Sequence, residues 1–318
     1  MKSALICGIS GQDGAYLAKF LLERNYIVYG TSRDIELANW NSLKYLNIYN
    51  KVNLLSMSPT DFRSVLDVFN KCKPDEVYFL AGQSSVGLSF EQPVETIQSF
   101  VLGTLNMLEA CRSSAKIVKL YNAGSSECFG DILESFADEK TRFHPQSPYA
   151  VGKSTSFWLV SNYRNSYNLF ACTGILFNHE SPLRPMRFVT QKIVSTAYRI
   201  ANGSNEKLFL GRLDIYRDWG WAPDYVEAMW LMLQQESAND YVIATGESHS
   251  LEEFVDAVFK YFGLNWKEYV VQDENFFRPS ELSISKANPS LALEKLNWKA
   301  TKKLNEIAVL MCKYFENI

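Results

Sequence analysis

Four side chains in the middle of the chain have the types and spacing needed for acid–base chemistry. Tyr149 and Lys153 stand four residues apart, so a helix over this stretch would place them on one face. A lysine ammonium near a phenol favours the phenolate and lowers the tyrosine pKa, which would make Tyr149 a base near neutral pH. Ser125 lies upstream in the run Gly124–Glu127. This set predicts removal of a proton from a substrate hydroxyl.

Glu127 offers a function that the oxidation of a hydroxyl does not need. A carboxyl can take a proton from carbon and assist a departing hydroxyl, as an elimination requires. The alternative interpretation is a surface or helix-capping acid, and a Tyr-x-x-x-Lys pair alone is common on helix surfaces. The position of Glu127, two residues after Ser125, favours the catalytic interpretation.

The start of the chain predicts a dinucleotide site. The apolar run Ala4–Cys7 meets a turn with Gly8, Gly11 and Gly14, and a helical apolar pattern begins at Tyr16. Glycines at such a turn allow close approach of the backbone, and the N-terminus of the helix can bind a pyrophosphate. A glycine-rich turn without a ligand is the alternative, but the position at the first strand favours the dinucleotide.

The end of the second strand bears on the choice between NADP and NAD. An acidic residue that would bind the ribose 2′-hydroxyl of NAD is absent at Gly30 and Thr31, and Arg33 offers a cation for a 2′-phosphate. This favours NADP. Asp34 follows directly and a surface role for Arg33 is the alternative, so NAD stays open.

Apolar runs and helical patterns alternate along the first half of the chain, which predicts a Rossmann-type, doubly wound parallel sheet of the α/β class. The predicted strands cover residues 4–7, 26–30, 52–55, 76–80, 117–121 and 171–177. We expect residues 1–176 to form the dinucleotide-binding domain, with returning segments from later in the chain. Residues 177–318 should mainly form a smaller C-terminal α/β domain for the substrate.

Three polar segments are candidates for ligand binding. Ala81–Ser85 closes the fourth predicted strand with small residues and should face cofactor and substrate, because ligands lie at the carboxyl ends of strands in such sheets. Arg217–Gly220 and Phe277–Glu281 are interpreted as loops whose arginines suit phosphate and base recognition. Each arginine alone would more often form a surface ion pair.

The composition excludes several function classes. A net charge of −3 gives no basic surface for nucleic acid, and no apolar run is long enough to span a membrane. Six cysteines are scattered without a Cys-x-x-Cys pair and are interpreted as buried thiols of a reducing compartment. The three histidines have no metal-ligand spacing, so we expect no catalytic metal. A cytoplasmic protein is expected.

Six segments resemble the GDP-mannose 4,6-dehydratase family, a branch of the extended short-chain dehydrogenase/reductases (NAD-dependent epimerases and dehydratases). Two of the segments, the one with the glycine turn and the one with Tyr149 and Lys153, carry patterns that are shared across the superfamily. The Gly-Gln-Asp-Gly turn and the Phe-Asn-His-Glu-Ser-Pro run are more specific to this family. The segments are Gly8–Leu17, Gly124–Glu127, Ser147–Lys153, Ile175–Pro182, Arg217–Gly220 and Phe277–Pro279.

The resemblance implies a lyase that converts GDP-mannose to GDP-4-keto-6-deoxymannose. Tyr149, helped by Lys153 and Ser125, would remove the proton of the sugar 4-hydroxyl while the C4 hydride passes to NADP⁺. Glu127 would take the C5 proton and assist departure of the 6-hydroxyl as water, after which the hydride returns to C6. The cofactor is then regenerated within each turnover.

The resemblance and the loop after the fourth strand also give two sets of binding residues. The cofactor set is Gly8, Gly11, Gln12, Asp13, Gly14, Arg33, Leu80, Ala81, Gly82, Tyr149, Lys153, His179 and Arg184. The substrate set is Ser84, Ser125, Glu127, Asn178, Val189, Lys192, Arg217, Arg278 and Glu281. Glu281 would accept guanine N–H groups. For Val189 and Lys192 an ordinary amphipathic helix is the alternative.

Several alternatives stay open from the sequence. Asp34 stands where the family has a second arginine, and the acid expected near the adenine is missing from Leu55–Met57. The enzyme could dehydrate another GDP-sugar, such as a heptose, or be a sugar-nucleotide 4-epimerase or 4-dehydrogenase. A cofactor-binding regulatory protein is the non-enzymatic alternative. Helices over 94–111 and 153–167 could build a homodimer or homotetramer, although a core helix has the same pattern.

Overall fold

The central feature of the computed structural model, which describes residues 1–133 and 135–317, is a seven-stranded parallel sheet. The strands of the chain are β1 Ser3–Cys7, β2 Ile27–Ser32, β3 Asn53–Ser56, β4 Glu76–Phe79, β5 Lys119–Ala123, β6 Ala171–Leu176, β7 Asn178–Glu180, β8 Leu208–Leu210, β9 Tyr216–Trp221, β10 Tyr241–Ile243, β11 Ser248–Ser250 and β12 Val270–Gln272. The large sheet has the order β10-β6-β5-β4-β1-β2-β3, and every pair in it is parallel. The expected fold class is confirmed.

Helices cover both faces of this sheet. They are α1 Gln12–Leu22, α2 Asn41–Tyr45, α3 Phe62–Cys72, α4 Val86–Glu91, α5 Pro93–Ser113, α6 Pro148–Tyr167, α7 Val189–Ala201, α8 Ala222–Gln234, α9 Leu251–Tyr261, α10 Ser290–Leu296 and α11 Leu304–Glu316. The core on one face includes Leu17 of α1 and Met229 of α8, and the core on the other includes Val65, Met107 and Val160 of α3, α5 and α6. Burial on both faces explains why the strands are continuous apolar runs in the sequence.

The predicted strands lie within a few residues of the observed ones. β2 and β3 start one residue later than expected and also extend beyond the expected ends, while β5 begins at Lys119 and ends at Ala123. These shifts matter for function because residues at the ends of β4, β5 and β6 border the candidate site. Boundaries are set by tertiary hydrogen bonding, which local pattern does not contain.

A second set of elements follows β6. β7, β9 and β11 form a three-stranded sheet, β8 pairs with β12, and α7, α9 and α11 enclose a separate apolar core around Ile193, Phe254 and Ile307. The chain also returns to the first sheet, because α8 packs on it and β10 forms its edge. The division of the chain at residues 176 and 177 stays a prediction.

The segment Arg217–Gly220 is a strand, so its interpretation as a loop was wrong. It lies within β9, the middle strand of the small sheet, with β7 parallel on one side and β11 antiparallel on the other. Arg217 is only 5% exposed, and its guanidinium pairs with Glu281. A charged residue in a central strand is tolerated when it is paired, and no local pattern reports such a distant partner.

Cysteine burial agrees with the sequence. All six thiols are free and buried, as expected. In the described residues no helix is both long and apolar enough to cross a membrane. The same residues contain no group of three or more His, Cys, Asp or Glu side chains that could hold a metal ion.

Candidate active site

The glycine turn brings β1 close to the loop after β4. Gly8 has a φ of +90°, which a residue with a side chain rarely adopts, and a Cβ there would lie 3.1 Å from the Cα of Ala81. A Cβ at Gly14 would collide with the carbonyl oxygen of Gly8. Gly11 stands at the N-terminus of α1 and gives it no side-chain cap, so the first-turn N–H groups suit an anion such as pyrophosphate.

Tyr149 and Lys153 share one face of α6, as their spacing predicts. The helix begins at Pro148, and the Ser147 hydroxyl before it accepts a hydrogen bond from the Ala150 N–H. Both side chains are more than nine-tenths buried. The helix therefore presents a phenol and an ammonium in a largely dry environment.

Lys153 and Ser125 are fixed by contacts with the backbone around the end of β5. The Lys153 Nζ donates to the carbonyl oxygen of Ala123 at 2.7 Å and lies 4.2 Å from the centre of the Phe100 ring. Ser125 follows β5 and accepts a hydrogen bond from the Glu127 N–H at 3.3 Å. These bonds place the four candidate catalytic side chains around one strand end.

The expectation that Lys153 lowers the pKa of Tyr149 was wrong for the chain by itself. Burial raises the pKa of Tyr149, and the nearby Ser125 hydroxyl opposes this only in part. The Lys153 Nζ lies 5.8 Å from the centre of the Tyr149 ring and is bonded to a carbonyl. Burial also lowers the pKa of Lys153 to about 8, because the ammonium is desolvated.

Glu127 has the properties of a carboxyl that can exchange protons. It is half-buried at the start of a short 3-10 helix, and desolvation raises its pKa. Arg217 and Arg278 act in the opposite direction, and both line the same cavity. A carboxyl with a raised pKa can hold a proton closer to neutral pH and can then release it to a leaving group.

One cavity of about 450 Å³ collects most of the residues that the sequence singled out. It lies beyond the carboxyl ends of β4, β5 and β6, between the large sheet and the second set of elements. The expected site residues that line it are Asp13, Leu80, Ser84, Ser125, Glu127, Tyr149, Lys153, Asn178, His179, Arg184, Val189, Lys192, Arg217, Arg278 and Glu281. The complete expected substrate set is among them.

The remaining expected cofactor residues lie around the glycine turn. Gly11 and Gln12 line a second cavity of about 360 Å³, which also includes Ser32 and Asn39. Gly8, Gly14, Ala81 and Gly82 shape the backbone near the turn and line neither cavity. The described residues around the second cavity include hydroxyl and amide groups but no lysine or arginine.

Arg33 lines neither cavity in this structure. Its side chain is 81% exposed and lies 3.6 Å from Glu95. The Asp34 carboxylate accepts hydrogen bonds from the N–H groups of Glu36 and Leu37 and so folds back on its own loop. For Arg33 to bind a 2′-phosphate, its side chain must turn towards the second cavity.

The far end of the main cavity is built from charge pairs. Arg217 donates to a Glu281 carboxylate oxygen at 2.8 Å, and Arg278 lies 3.4 Å from the same oxygen. Lys192 donates to the carbonyl of Phe209 at 2.6 Å and stands 4.2 Å from the centre of the Phe276 ring. The Glu281 carboxylate therefore pairs with both arginines. A guanine that donates N–H groups to Glu281 would share this carboxylate with Arg217 and Arg278.

Some lining residues were missed in the sequence. Arg187 donates to the Ser84 hydroxyl at 3.3 Å, and Arg212 lines the cavity while paired with Asp214. Arg187 stands three residues after Arg184 in the same proline-rich loop, so its type and position gave a signal. Arg212 precedes β9 with no motif around it and gave none.

Comparison with known proteins agrees with this geometry. The sequence model of a family described as GDP-mannose 4,6 dehydratase matches residues 5–311. The chain belongs to this family. The expected resemblance is thus confirmed, and the match extends over nearly the full length of the chain rather than over the dinucleotide turn alone.

Individual relatives give the same result. The chain is 48% identical to GDP-mannose 4,6 dehydratase 2 of Arabidopsis thaliana over 98% of its own length and 86% of the relative's. Among solved structures, the UDP-glucose 4-epimerase of Thermus thermophilus in complex with NAD is 26% identical, with a TM-score of 0.85 and 99% of each chain covered. RMD from Pseudomonas aeruginosa, complexed with NADPH, is 21% identical with a TM-score of 0.83 over 100% and 98% of the chains, which shows a common fold.

Proposed function

We propose that this chain is a hydro-lyase that converts GDP-mannose to GDP-4-keto-6-deoxymannose, a step of deoxysugar synthesis. The observation that carries this proposal is the position of Glu127 in the same cavity as Ser125, Tyr149 and Lys153. Family membership supports the reaction class, and a cavity with a phenol, an ammonium and a desolvated carboxyl has the groups that this reaction needs.

A nicotinamide cofactor supplies the acceptor and later the donor of one hydride when it is bound. Tyr149 takes the proton of the sugar 4-hydroxyl as the hydride leaves C4, and Ser125 hydrogen-bonds the same oxygen. The 4-ketone that results acidifies the proton on C5. Glu127 takes that proton and delivers one to the 6-hydroxyl, which leaves as water. The hydride would then return to C6 and a proton to C5, which balances the proton that Tyr149 removed from the 4-hydroxyl, so the net change is loss of one water.

Lys153 assists by its charge and by its fixed position. Its ammonium is anchored on the Ala123 carbonyl, so it presents a cation on the Tyr149 side of α6 without mobility. Since its pKa of about 8 lies above neutral pH, most of the lysine is charged at pH 7. In the chain by itself this ammonium does not overcome the effect of burial on Tyr149, and a bound oxidised nicotinamide would supply a second positive charge that favours the phenolate.

The nucleotide end supports a GDP-sugar as substrate. Arg217 and Arg278 provide two guanidinium groups for a diphosphate, and Lys192 provides an ammonium on the α7 side. Glu281 lies between the arginines and can accept N–H groups of a purine. On binding, the diphosphate would take over part of the charge pairing that Glu281 now provides.

For the cofactor we propose NADP, with NAD as the alternative. Arg33 is the cation nearest in sequence to the end of β2, while its exposed side chain and the neutral second cavity leave room for NAD. Titration of both dinucleotides into the protein and into Arg33→Ala tests this. Tighter binding of NADP⁺ that is lost in Arg33→Ala supports NADP, and equal or tighter binding of NAD⁺ by the native protein contradicts it.

The activity test uses the purified protein, GDP-mannose and either dinucleotide. We expect mass spectrometry to show a product lighter by one water, with no net reduction of the cofactor. A panel of other GDP-sugars, including a GDP-heptose, tests substrate choice. Unchanged GDP-mannose in the presence of both dinucleotides would contradict the proposal, and dehydration of another sugar alone would move it to that sugar.

A 4-epimerase or 4-dehydrogenase is the second candidate. The observation in its favour is the structural likeness to the Thermus thermophilus epimerase at 26% identity, together with the generic set Ser125, Tyr149 and Lys153. Glu127→Gln separates the candidates, because neither alternative needs an acid at this position. Undiminished turnover in Glu127→Gln would favour them. If the sugar nucleotide causes no change in cofactor absorbance, the non-enzymatic candidate, a cofactor-binding regulatory protein, is favoured.

We also propose a cytoplasmic homodimer or homotetramer. α5 and α6 pack on each other and expose apolar side chains on their outer faces, among them Val94, Leu102, Val151 and Trp158. Pairing of this face with a second copy would bury them. Light scattering on the native protein and on Trp158→Lys tests this, and a monomeric native protein would contradict it.

A further inference from the structure

The turn that binds the dinucleotide carries two side chains that reach the second set of elements. Between Gly11 and Gly14 the chain has Gln12 and Asp13, which are larger than a tight turn requires. Gln12 donates to the His179 carbonyl at 3.2 Å and accepts a hydrogen bond from the Ser181 hydroxyl at 2.7 Å. Asp13 accepts a hydrogen bond from His179 Nε2 at 2.9 Å. These partners lie more than 160 residues away in sequence.

His179 faces a hydrogen-bond acceptor on each side of its ring. Its Nδ1 lies 2.8 Å from the Phe177 carbonyl oxygen, and its Nε2 lies 2.9 Å from an Asp13 carboxylate oxygen. A carbonyl oxygen and a carboxylate oxygen both accept, so a ring that donates to each of them carries a hydrogen on both nitrogens. The pair Asp13–His179 is therefore a carboxylate facing a cation, and Gln12 Nε2 also donates to the carboxylate at 3.0 Å.

The surroundings support these charges. Burial by itself would raise the pKa of Asp13, but His179 and Gln12 lower it to about 2. Burial would lower the pKa of His179, and Asp13 overcomes this and raises it, although the Arg184 guanidinium acts against it. Tyr225 of α8 stacks on the imidazole with a centroid distance of 4.5 Å. The Asp13–His179 pair is therefore contacted on several sides and differs from an exposed surface ion pair.

Strand β7 continues from this pair directly into the substrate cavity. Asn178 and Glu180 flank His179, and both line the cavity. The Glu180 carboxylate accepts a hydrogen bond from the Thr190 hydroxyl at 2.6 Å in the first turn of α7. α7 also carries the Lys192 ammonium. Hydrogen bonds at His179 and at Glu180, connected by the β7 backbone, thus join the dinucleotide turn to the helix on the nucleotide side.

We propose that Gln12, Asp13, His179 and Ser181 form a clamp that fastens the dinucleotide turn to β7, so that dinucleotide and GDP-sugar bind cooperatively. Gln12, Asp13 and Ser181 act as positioning residues. The inference rests on the proposed function, because it presumes both ligands. It gives a reason for Gln12 and Asp13 at positions where the turn geometry alone needs no side chain. Because the clamp joins the two binding segments, a ligand that restrains one of them would also restrain the other and so lower the entropy that the second ligand loses on binding.

The first test measures cooperativity without turnover. GDP is titrated by calorimetry into the protein, freed of bound nucleotide, with and without saturating NADP⁺ or NAD⁺, whichever binds more tightly. We expect NADP⁺ or NAD⁺ to tighten GDP binding by about fivefold or more. In Ser181→Ala the factor should fall to about twofold or less, because the bond to Gln12 is lost, together with the one that the hydroxyl accepts from the Leu183 N–H. Ser181 lines neither cavity, so the substitution removes no ligand contact.

The matched control is Ser195→Ala. Ser195 is also buried, but its hydroxyl donates only to the Lys192 carbonyl within α7. We expect Ser195→Ala to keep the native cooperativity. If Ser181→Ala does not fold, as judged by circular dichroism, Gln12→Met removes the same bond from the other side, together with the Gln12 bonds to Asp13 and the His179 carbonyl. Because Gln12 also lines the second cavity, the affinity of this variant for the dinucleotide alone is measured first, and GDP is then titrated at saturating dinucleotide.

The second test observes the clamp without any ligand. The chain has only three histidines, so the imidazole C–H signals can be assigned by single substitutions in an NMR pH titration. We expect His179 to stay protonated to a higher pH than a free histidine, and Asp13→Asn to shift its midpoint down by about one pH unit or more. Tyr225 and Arg184 face the ring in both proteins, so they do not cause the difference.

The outcomes separate the two claims. A native protein that binds neither dinucleotide nor GDP contradicts the proposed function. If both ligands bind without cooperativity, or if Ser181→Ala and Gln12→Met leave it unchanged, the clamp is overturned while the function stands. A His179 midpoint that Asp13→Asn does not move overturns the charged pair.

Discussion

The two ends of the main cavity are held in different ways. At the end near the large sheet, Tyr149 and Lys153 are more than nine-tenths buried, and the ammonium is fixed on a backbone carbonyl. At the nucleotide end, Arg278 and Lys192 are partly exposed. Arg278 pairs with Glu281, and Lys192 contacts the Phe276 ring and donates to the Phe209 carbonyl. Burial sets the pKa values at the first end, and charge pairing sets the geometry at the second.

This difference predicts how substitutions divide between rate and binding. Groups held rigidly by the backbone act on a developing charge, so their loss should lower kcat. Groups held by exchangeable ion pairs act on the bound nucleotide, so their loss should raise KM. Substitution of Glu127 tests where one end of the cavity passes into the other, because this residue follows β5 but lies near the arginines of the nucleotide end.

The largest effect should come from Glu127→Gln. We expect kcat for GDP-mannose to fall by about 10²–10⁴-fold, because the amide can neither take the C5 proton nor deliver one. KM should change little. Steady-state kinetics with product detection by mass spectrometry measures both, and Glu206→Gln is the control, because Glu206 lies outside the cavity and pairs with Arg199. A rise in KM with an unchanged kcat would place Glu127 with the nucleotide end instead.

Lys153→Met should separate stability from activity. The folded pKa of about 8 lies below the ordinary 10.5, so the unfolded chain binds more protons between these values and stability rises with pH there. Below pH 8 the buried ammonium lowers the free energy of unfolding by about 3 kcal/mol. We therefore expect Lys153→Met to raise the melting temperature at pH 7 and to lower kcat.

Lys119→Met is the control for this prediction. Lys119 also donates to carbonyl oxygens, those of Leu233 and Gln235, but lies outside the cavity. It should keep full activity. Calorimetry at pH 7 and pH 10 measures the two variants, and a Lys153→Met protein that loses stability at pH 7 would show that the Ala123 bond outweighs desolvation.

A smaller effect is expected at Arg217. Arg217→Gln should raise KM for GDP-mannose by about 10–100-fold, because a buried guanidinium is lost and Glu281 is left without its closest partner. kcat should stay within about threefold of the native value if the ends are separate. A parallel fall in kcat would show that Arg217 also acts on Glu127, and the pH–rate profile would then shift.

The smallest of these effects is expected at Arg278. Its side chain is 37% exposed and lies 3.4 Å from Glu281, so water screens the charge. Arg278→Gln should raise KM by about threefold to tenfold. This rise should weaken with added salt, whereas the effect of Arg217→Gln should not, and kinetics at two ionic strengths compares them.

The sequence predicted the parts of the site that depend on local spacing. The glycine turn and the Tyr149 and Lys153 face of α6 could be named in advance because motif and position coincide. The substrate set that the resemblance implied lines the main cavity, and the binding roles of both sets stay predictions. Arg217 was named correctly as a cavity residue but assigned to a loop, since its partner Glu281 lies 64 residues away. The pKa of Tyr149 could not be predicted, because burial depends on the whole fold.

Contacts between distant segments were the least predictable. Gln12 and Asp13 were expected to bind the cofactor, and nothing in the sequence linked them to His179 or Ser181. Arg212 gave no signal because an isolated arginine is common on surfaces. Such residues become visible only when the β7 strand and the dinucleotide turn are placed side by side.

The return of the chain to the first sheet has a consequence for biosynthesis. β10 forms the edge of the large sheet and α8 covers one of its faces, yet both follow the first strands of the second set of elements in the sequence. During synthesis β6 therefore stays an unpaired edge of the N-terminal half until residue 243 has left the ribosome. A ribosome that stalls near residue 180 would release a chain with that edge and the α8 face uncovered, a substrate for chaperones rather than a smaller folded protein.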